Sequence, residues 1–219
     1  MNDSDYNDLT ASGVSLISVQ YCTNVDIDNV TAENIREGIS GYAYIFYIER
    51  VVNLNVNNCN LLNGWHSFGT NGVKVWNIRD SFVNGLDVHI GAGDITLDNV
   101  TFIGKWGFNI GYGDGRVIFN NCVTRVTASD VDKNVNAIVQ LTPGYGLKYK
   151  GEIHINNHKI YNATYGFSLL KDPYDSNDYK PVYNIELPSL YVNNIEFKEH
   201  VPTRFYGYQF VSFSSIKAT

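Results

Sequence analysis

The sequence predicts an all-β solenoid, a parallel β-helix of roughly seven to nine coils. It reads as one domain over 1–219, with long loop insertions at 123–152 and 171–188. Three observations carry this expectation. A short string returns along the chain, with two apolar residues two apart, then Asn: "VDIDNV" at 25, "LNVNNC" at 54, "ITLDNV" at 95, "VIFNNC" at 117, "IHINNH" at 153 and "LYVNNI" at 190. A second string follows it, as in "LDVHIGAGD" (86–94) and "WGFNIGYGDG" (106–115). Helical periodicity is nearly absent, and "VTAENIREG" is at best one short turn.

Taking the last Asn of each string as a marker gives Asn29, Asn58, Asp80 (in "NIRDSF"), Asn99, Asn121, Asn157 and Asn194. Successive markers lie 29, 22, 19, 22, 36 and 37 residues apart. Periods near 20, lengthened by inserted loops, are the signature of a solenoid. Within each string the pairs Val25/Ile27, Leu54/Val56, Ile95/Leu97, Val117/Phe119, Ile153/Ile155 and Leu190/Val192 alternate with polar residues, the period of a strand. These pairs are expected to point inward. Each Asn is expected at a bend, where it tolerates left-handed geometry. Equivalent residues of successive coils sit about 4.8 Å apart. Each amide can therefore donate to one neighbour and accept from another, which assigns these Asn residues to architecture rather than catalysis.

The second string aligns Phe108 with Val88, Asn109 with His89, Ile110 with Ile90, Gly111 with Gly91 and Asp114 with Asp94. "YGFSLL" (165–170) and "YGYQFV" (206–211) are expected to continue it. Near the start, "ISVQYCTNVDIDN" (17–29) overlays "FYIERVVNLNVNN" (46–58), so the repeats reach from about residue 14 to about 212.

Composition narrows the function. The chain has 219 residues, 44% hydrophobic and 17% charged, which suits an ordered globular protein. A net charge of −6 without a basic stripe argues against a general nucleic-acid binder. Its three cysteines, Cys22, Cys59 and Cys122, form neither a disulfide framework nor a zinc pattern, and read as unpaired buried thiols. "GYGDG" lacks the helix and lysine of a phosphate loop. No HExxH is present, so neither a metal nor a cofactor is expected. The polar start "MNDSDYNDLTASG" does not read as a signal peptide, and no apolar run is long enough to span a bilayer.

The strings "V-x-I-x-N-C" followed by "G-[FVL]-x-I" resemble those of the pectate-lyase-like superfamily, whose fold is a single-stranded right-handed parallel β-helix. With abundant Tyr, Asn and Gly, the chain looks most like the helix region of phage tailspikes and capsule depolymerases. The resemblance covers most of the chain. It implies a homotrimer in a virion tail or outside the cell, acting at the bacterial surface. Such a protein binds or cleaves a surface polysaccharide, with hydrolysis favoured over β-elimination. A non-catalytic receptor-binding fibre and a structural stalk share the same fold. The Asp residues here are dispersed, and no run matches the calcium-binding cluster of pectate lyases.

Candidate site residues follow from strand alternation. If Leu86, Val88 and Ile90 face inward, Asp87 and His89 face outward. Neighbouring coils then offer Trp65, His66 and Ser67 on one side, and Lys105 and Asn109 on the other. An acid, an imidazole, an ammonium and an aromatic ring on one surface suffice for sugar binding or glycosidic cleavage. The same residues also fit a merely solvated face, and His66 fits a buried position. Asp94 and Asp114, each ending a Gly-rich turn, are expected to stack one coil apart; such a carboxylate pair suits a retaining glycosidase, though Asp after Gly is also an ordinary turn residue. Glu49, opposite Gln20, is a further candidate acid. In the insertions, Tyr145, Tyr149, Tyr174 and Tyr179 are candidate platforms for sugar rings.

Overall fold

The structure, a computed structural model, describes residues 15–32, 44–62, 66–104, 107–125, 136–141, 148–162, 165–168, 188–198, 204–206, 211–213 and 216–218. Among them there is no helix. Strands follow one another as β1 (Ser15–Gln20), β2 (Asn24–Asp28), β3 (Thr31–Ala32), β4 (Tyr44–Asn57), β5 (Asn60–Leu61), β6 (His66–Arg79) and β7 (Phe82–Val83). Then come β8 (Leu86–Asp98), β9 (Thr101–Ile103), β10 (Phe108–Ile110), β11 (Tyr112–Gly113), β12 (Arg116–Asn120) and β13 (Val123–Arg125). The chain continues through β14 (Asn136–Leu141), β15 (Lys148–Tyr149), β16 (Glu152–Tyr161), β17 (Tyr165–Ser168) and β18 (Ser189–Lys198). It closes with β19 (Arg204–Tyr206), β20 (Val211–Phe213) and β21 (Ile216–Ala218). These strands belong to one sheet, and every pairing between them is parallel. Each strand pairs with its counterpart one repeat earlier and one repeat later, an arrangement compatible with a parallel β-helix.

The recurring string explains the stacking. Ile27, Val56, Ile78, Leu97, Phe119, Ile155 and Val192 fall in one register column. Leu54, Trp76, Ile95, Val117, Ile153 and Leu190 form a second column beside it, and both are buried. Fully burying each such side chain contributes about 1.5–3 kcal/mol, so columns of this length supply most of the driving force.

The marker residues sit where expected. Asn29, Asn58, Asp80, Asn99, Asn121, Asn157 and Asn194 all have φ between 48° and 61°. Asn58 Nδ2 donates to Asn29 Oδ1 (2.7 Å), Asn157 to Asn121 (3.2 Å) and Asn194 to Asn157 (2.9 Å). Asn99 donates to Asp80 (2.6 Å), but an ionised Asp80 has no proton to pass toward Asn58. The residues after the markers turn back into the core. Cys59 and Cys122 are buried and unpaired, and burial pushes the Cys122 thiol up to about 12. His158 occupies the same position two bonds along the ladder, fully buried against Phe119, with Nε2 2.8 Å from Thr124 Oγ1.

Two expectations need correction. The stretch 123–152 is not simply an insertion. Its β13 pairs with β9 and β16, β14 with β10 and β17, and β15 with β11, so it carries strands of the sheet between lengthened connections. Periodicity missed these strands because β14 and β15 lack the Asn marker. Likewise "YGYQFV" divides: Tyr206 pairs with Ser168, whereas Val211 pairs with Leu190 and starts another copy of the first string. Insertion 171–188 lies outside the described residues except for its last position.

Candidate functional site

The chemistry-bearing residues converge where β4, β6, β8 and β10 lie side by side. One register column there reads Tyr47, Gly69, Asp87, Asn109. It is flanked by Phe46, Phe68, Leu86, Phe108 and by Ile48, Thr70, Val88, Ile110. Leu86 and Val88 are buried in the core, which turns Asp87 to the opposite face.

Asp87 is nevertheless only 2% exposed, not a solvated surface acid. Two side chains cover it. Tyr44, two repeats earlier, donates its hydroxyl to Asp87 Oδ2 at 2.8 Å. His89 brings Nε2 to 2.7 Å from the same oxygen and 3.0 Å from the Tyr44 hydroxyl. Tyr44 reaches so far because Gly69 lies beneath it: a Cβ at Gly69 would sit 2.6 Å from its ring. Any other residue in that column would close the path.

His89 reaches Asp87 through an irregularity in β8. Thr70 pairs with Val88 but Asn71 pairs with Ile90, so β8 has one extra residue, His89, against β6. The same surplus exists against the next repeat, where Ile110 pairs with Val88 and Gly113 with Ala92. A bulge of this kind re-aims a side chain and reverses the alternation beyond it. Ile90, expected inside, is consequently 51% exposed. The bulge also corrects the alignment: Asn109 stands beside Asp87 rather than His89.

Electrostatics favours an ionised Asp87. Burial pushes its carboxyl up, but the His89 hydrogen bond, the charges of His66 and His89 and the Tyr44 hydroxyl together hold it below its ordinary value. An ionised carboxylate only accepts, so His89 Nε2 must carry the proton it shares with Asp87. The basic atom of that ring is then Nδ1, as in other carboxylate–imidazole pairs. His66 is fully buried beside Tyr44 (ring centroids 6.3 Å), with Nε2 3.2 Å from Asn109 Nδ2. Burial lowers its pKa to about 4, against the pull of Asp87 and with the help of His89. It is therefore neutral, the buried alternative for this residue.

The remaining candidates separate from this cluster. Ser67 is buried; its hydroxyl donates to the Leu61 carbonyl (2.6 Å) and braces Asn84, so it cannot bind substrate as expected. Asp94 does not stack on Asp114. Asp94 Oδ1 instead accepts the Arg116 amide at 3.0 Å, because Val117 pairs with Ile95 while Gly113 pairs with Ala92, leaving Asp114 as an extra residue. No carboxylate pair is built there, and the expected retaining-glycosidase geometry falls with it. Glu49 does pair with Gln20 and lies near Tyr47, whose hydroxyl pKa is raised by burial and by Glu49, against the Asn71 hydrogen bond. Tyr149 is fully buried, with its hydroxyl donating to the Gly115 carbonyl, and cannot stack on a sugar. Trp65, Lys105, Tyr145, Tyr174 and Tyr179 lie outside the described residues.

Sequence reasoning missed Tyr44, the residue that completes the cluster. Its distance along the chain hid it; the one available signal was Gly69, a glycine in a column otherwise holding large polar side chains. Among the described residues no group of His, Cys, Asp and Glu is placed to hold a metal ion. No family model, curated protein or solved structure matches this chain.

Proposed function

We propose that this chain is a depolymerase of the phage tailspike kind, a pectate-lyase-like right-handed β-helix that binds and cleaves a bacterial surface polysaccharide. The observation that carries this reading is the contact of Asp87 with both His89 and Tyr44. A buried carboxylate orienting an imidazole, beside a phenol, is acid–base machinery rather than ordinary surface polarity. The stacked parallel repeats and the resemblance of their strings supply the glycan and the homotrimer.

In this reading Asp87 fixes the ring and tautomer of His89 and stabilises its protonated form. His89 removes a proton, either from water for hydrolysis or from a sugar ring carbon for β-elimination. Tyr44 donates to the departing glycosidic oxygen. A carboxylate-pair glycosidase needs two carboxyl groups about 5–10 Å apart. The partners of Asp87 shown here are an imidazole and a phenol, so hydrolysis, if it is the reaction, runs through imidazole-activated water.

A second reading, a non-catalytic glycan-binding fibre, is favoured by one observation: Asp87 is almost wholly covered. There the cluster would only brace the strands. Incubation with a panel of capsular polysaccharides separates the readings. New reducing ends without unsaturated uronate absorbance mean hydrolysis, and both signals together mean elimination. Binding with neither signal across the panel would leave the fibre.

A further inference from the structure

Beyond the bulge, β8 runs into a groove of about 560 Å³ whose floor is glycine. Its first column is Tyr21, Arg50, Gly72, Gly91, all with positive φ between 53° and 81°. The bend recurs in every repeat, but from Gly72 onward the side chain is gone. The next exposed column replaces Val52 and Lys74 with Gly93. A Cβ on Gly93 would run into the Lys74 carbonyl, and one on Gly113 would meet the Ala92 carbonyl. The trough is therefore cut by glycines that close stacking demands.

What surrounds this floor is charged. Arg50 and Lys74 stand at one end, Lys148 and Lys150 at the other, and Asp114 is the one carboxylate of the lining. Arg50 also touches Glu49 at 3.9 Å and lies over the Tyr21 ring. Four cations against one acid is notable on a chain with net charge −6. Lys74 and Lys150 lie three strand spacings apart and Arg50 and Lys148 four, about 14 and 19 Å. Tyr112, 45% exposed, sits between them.

We propose that this groove binds an anionic glycan, a sugar chain carrying carboxylate or sulfate groups, laid across the strands with Tyr112 against a ring face. Spaced cations match repeating anions along a chain, and the tyrosine supplies apolar contact that a bare polyanion does not use. This rests on the glycan reading above and adds the substrate's charge.

The test is titration calorimetry at fixed salt with four probes: polygalacturonate, heparin, neutral dextran and inorganic polyphosphate. At least one charged glycan should bind, and dextran should not. Lys74→Gln with Lys148→Gln should weaken that binding at least tenfold while leaving the circular dichroism unchanged. Tyr112→Ala should weaken charged-glycan binding but not polyphosphate binding. The proposal is overturned if dextran binds as well as the charged glycans, or if no charged glycan binds. It is equally overturned if the lysine pair is silent, or if Tyr112→Ala leaves glycan binding intact. Repeating the titrations with Asp87→Asn protein keeps the two readings apart. Binding there decides the groove alone, whereas turnover decides the cluster.

Discussion

His89 Nε2 lies 2.7 Å from Asp87 Oδ2 because β8 carries one residue more than either strand beside it. On a regular strand these two side chains would stand apart on the same face. The surplus residue turns the ring back over the carboxylate, and Tyr44 closes over both. Ile90 is left half in water as a consequence, an apolar exposure the fold accepts to form the cluster.

Gly69 is the residue on which Tyr44 depends. Gly69→Ala places a methyl 2.6 Å from the Tyr44 ring and should displace it, costing about 1–3 kcal/mol. In a Tyr44→Ala background the same change should be nearly silent. A double-mutant cycle by urea denaturation reads the coupling, and additive costs would show that the ring does not need the glycine.

The Asn ladder predicts a graded response. Asn157 has φ 56°, donates to Asn121 and accepts from Asn194. Asn157→Gly keeps the left-handed bend and loses only the exposed bonds, each about 0.5–1.5 kcal/mol. Asn157→Ala adds about 1–2 kcal/mol for the conformation itself. Denaturation midpoints should therefore fall further for Ala than for Gly, and equal losses would mean the bend is not what selects Asn.

How much of this was legible can be argued from single positions. Asn29 through Asn194 were readable because a left-handed bend with a stackable amide leaves few residue choices. The inward pairs were readable because strand alternation is strict. The cluster was half legible: alternation turned Asp87 outward, but could not show that Tyr44 covers it or that His89 is a surplus residue. A bulge leaves no mark on composition and shifts everything after it, which is why Ile90 and the Asn109 alignment came out wrong. Ser67 and Tyr149 failed for another reason: a hydroxyl's inward partner, a carbonyl of another strand, is invisible to periodicity.

Acid should destabilise the protein well before ordinary carboxylates titrate. Burial lowers the His158 pKa to about 3, against about 6.5 when unfolded. The unfolded chain therefore binds the proton first, and stability falls as pH drops from about 6.5 toward 3, by up to about 1.4 kcal/mol per pH unit. His66, lowered to about 4, acts in the same direction. The depressed Asp87 carboxyl adds stability that is present above the ordinary carboxylate value and lost below it. Melting temperature followed from pH 7.5 down to about 4.5 should decline in the wild type. Replacing the pair, His158→Ile with Thr124→Val, should flatten the decline, and an unchanged slope would move its origin elsewhere.

The most direct measurement is turnover of a cleavable capsular polysaccharide by wild type and by Asp87→Asn, with binding and melting temperature recorded alongside. An amide still accepts from Tyr44 but no longer holds a protonated imidazole. Product formation should fall about 10²–10⁴-fold with glycan affinity retained. Full turnover by the Asp87→Asn protein would contradict the assignment of this cluster as the site of bond cleavage.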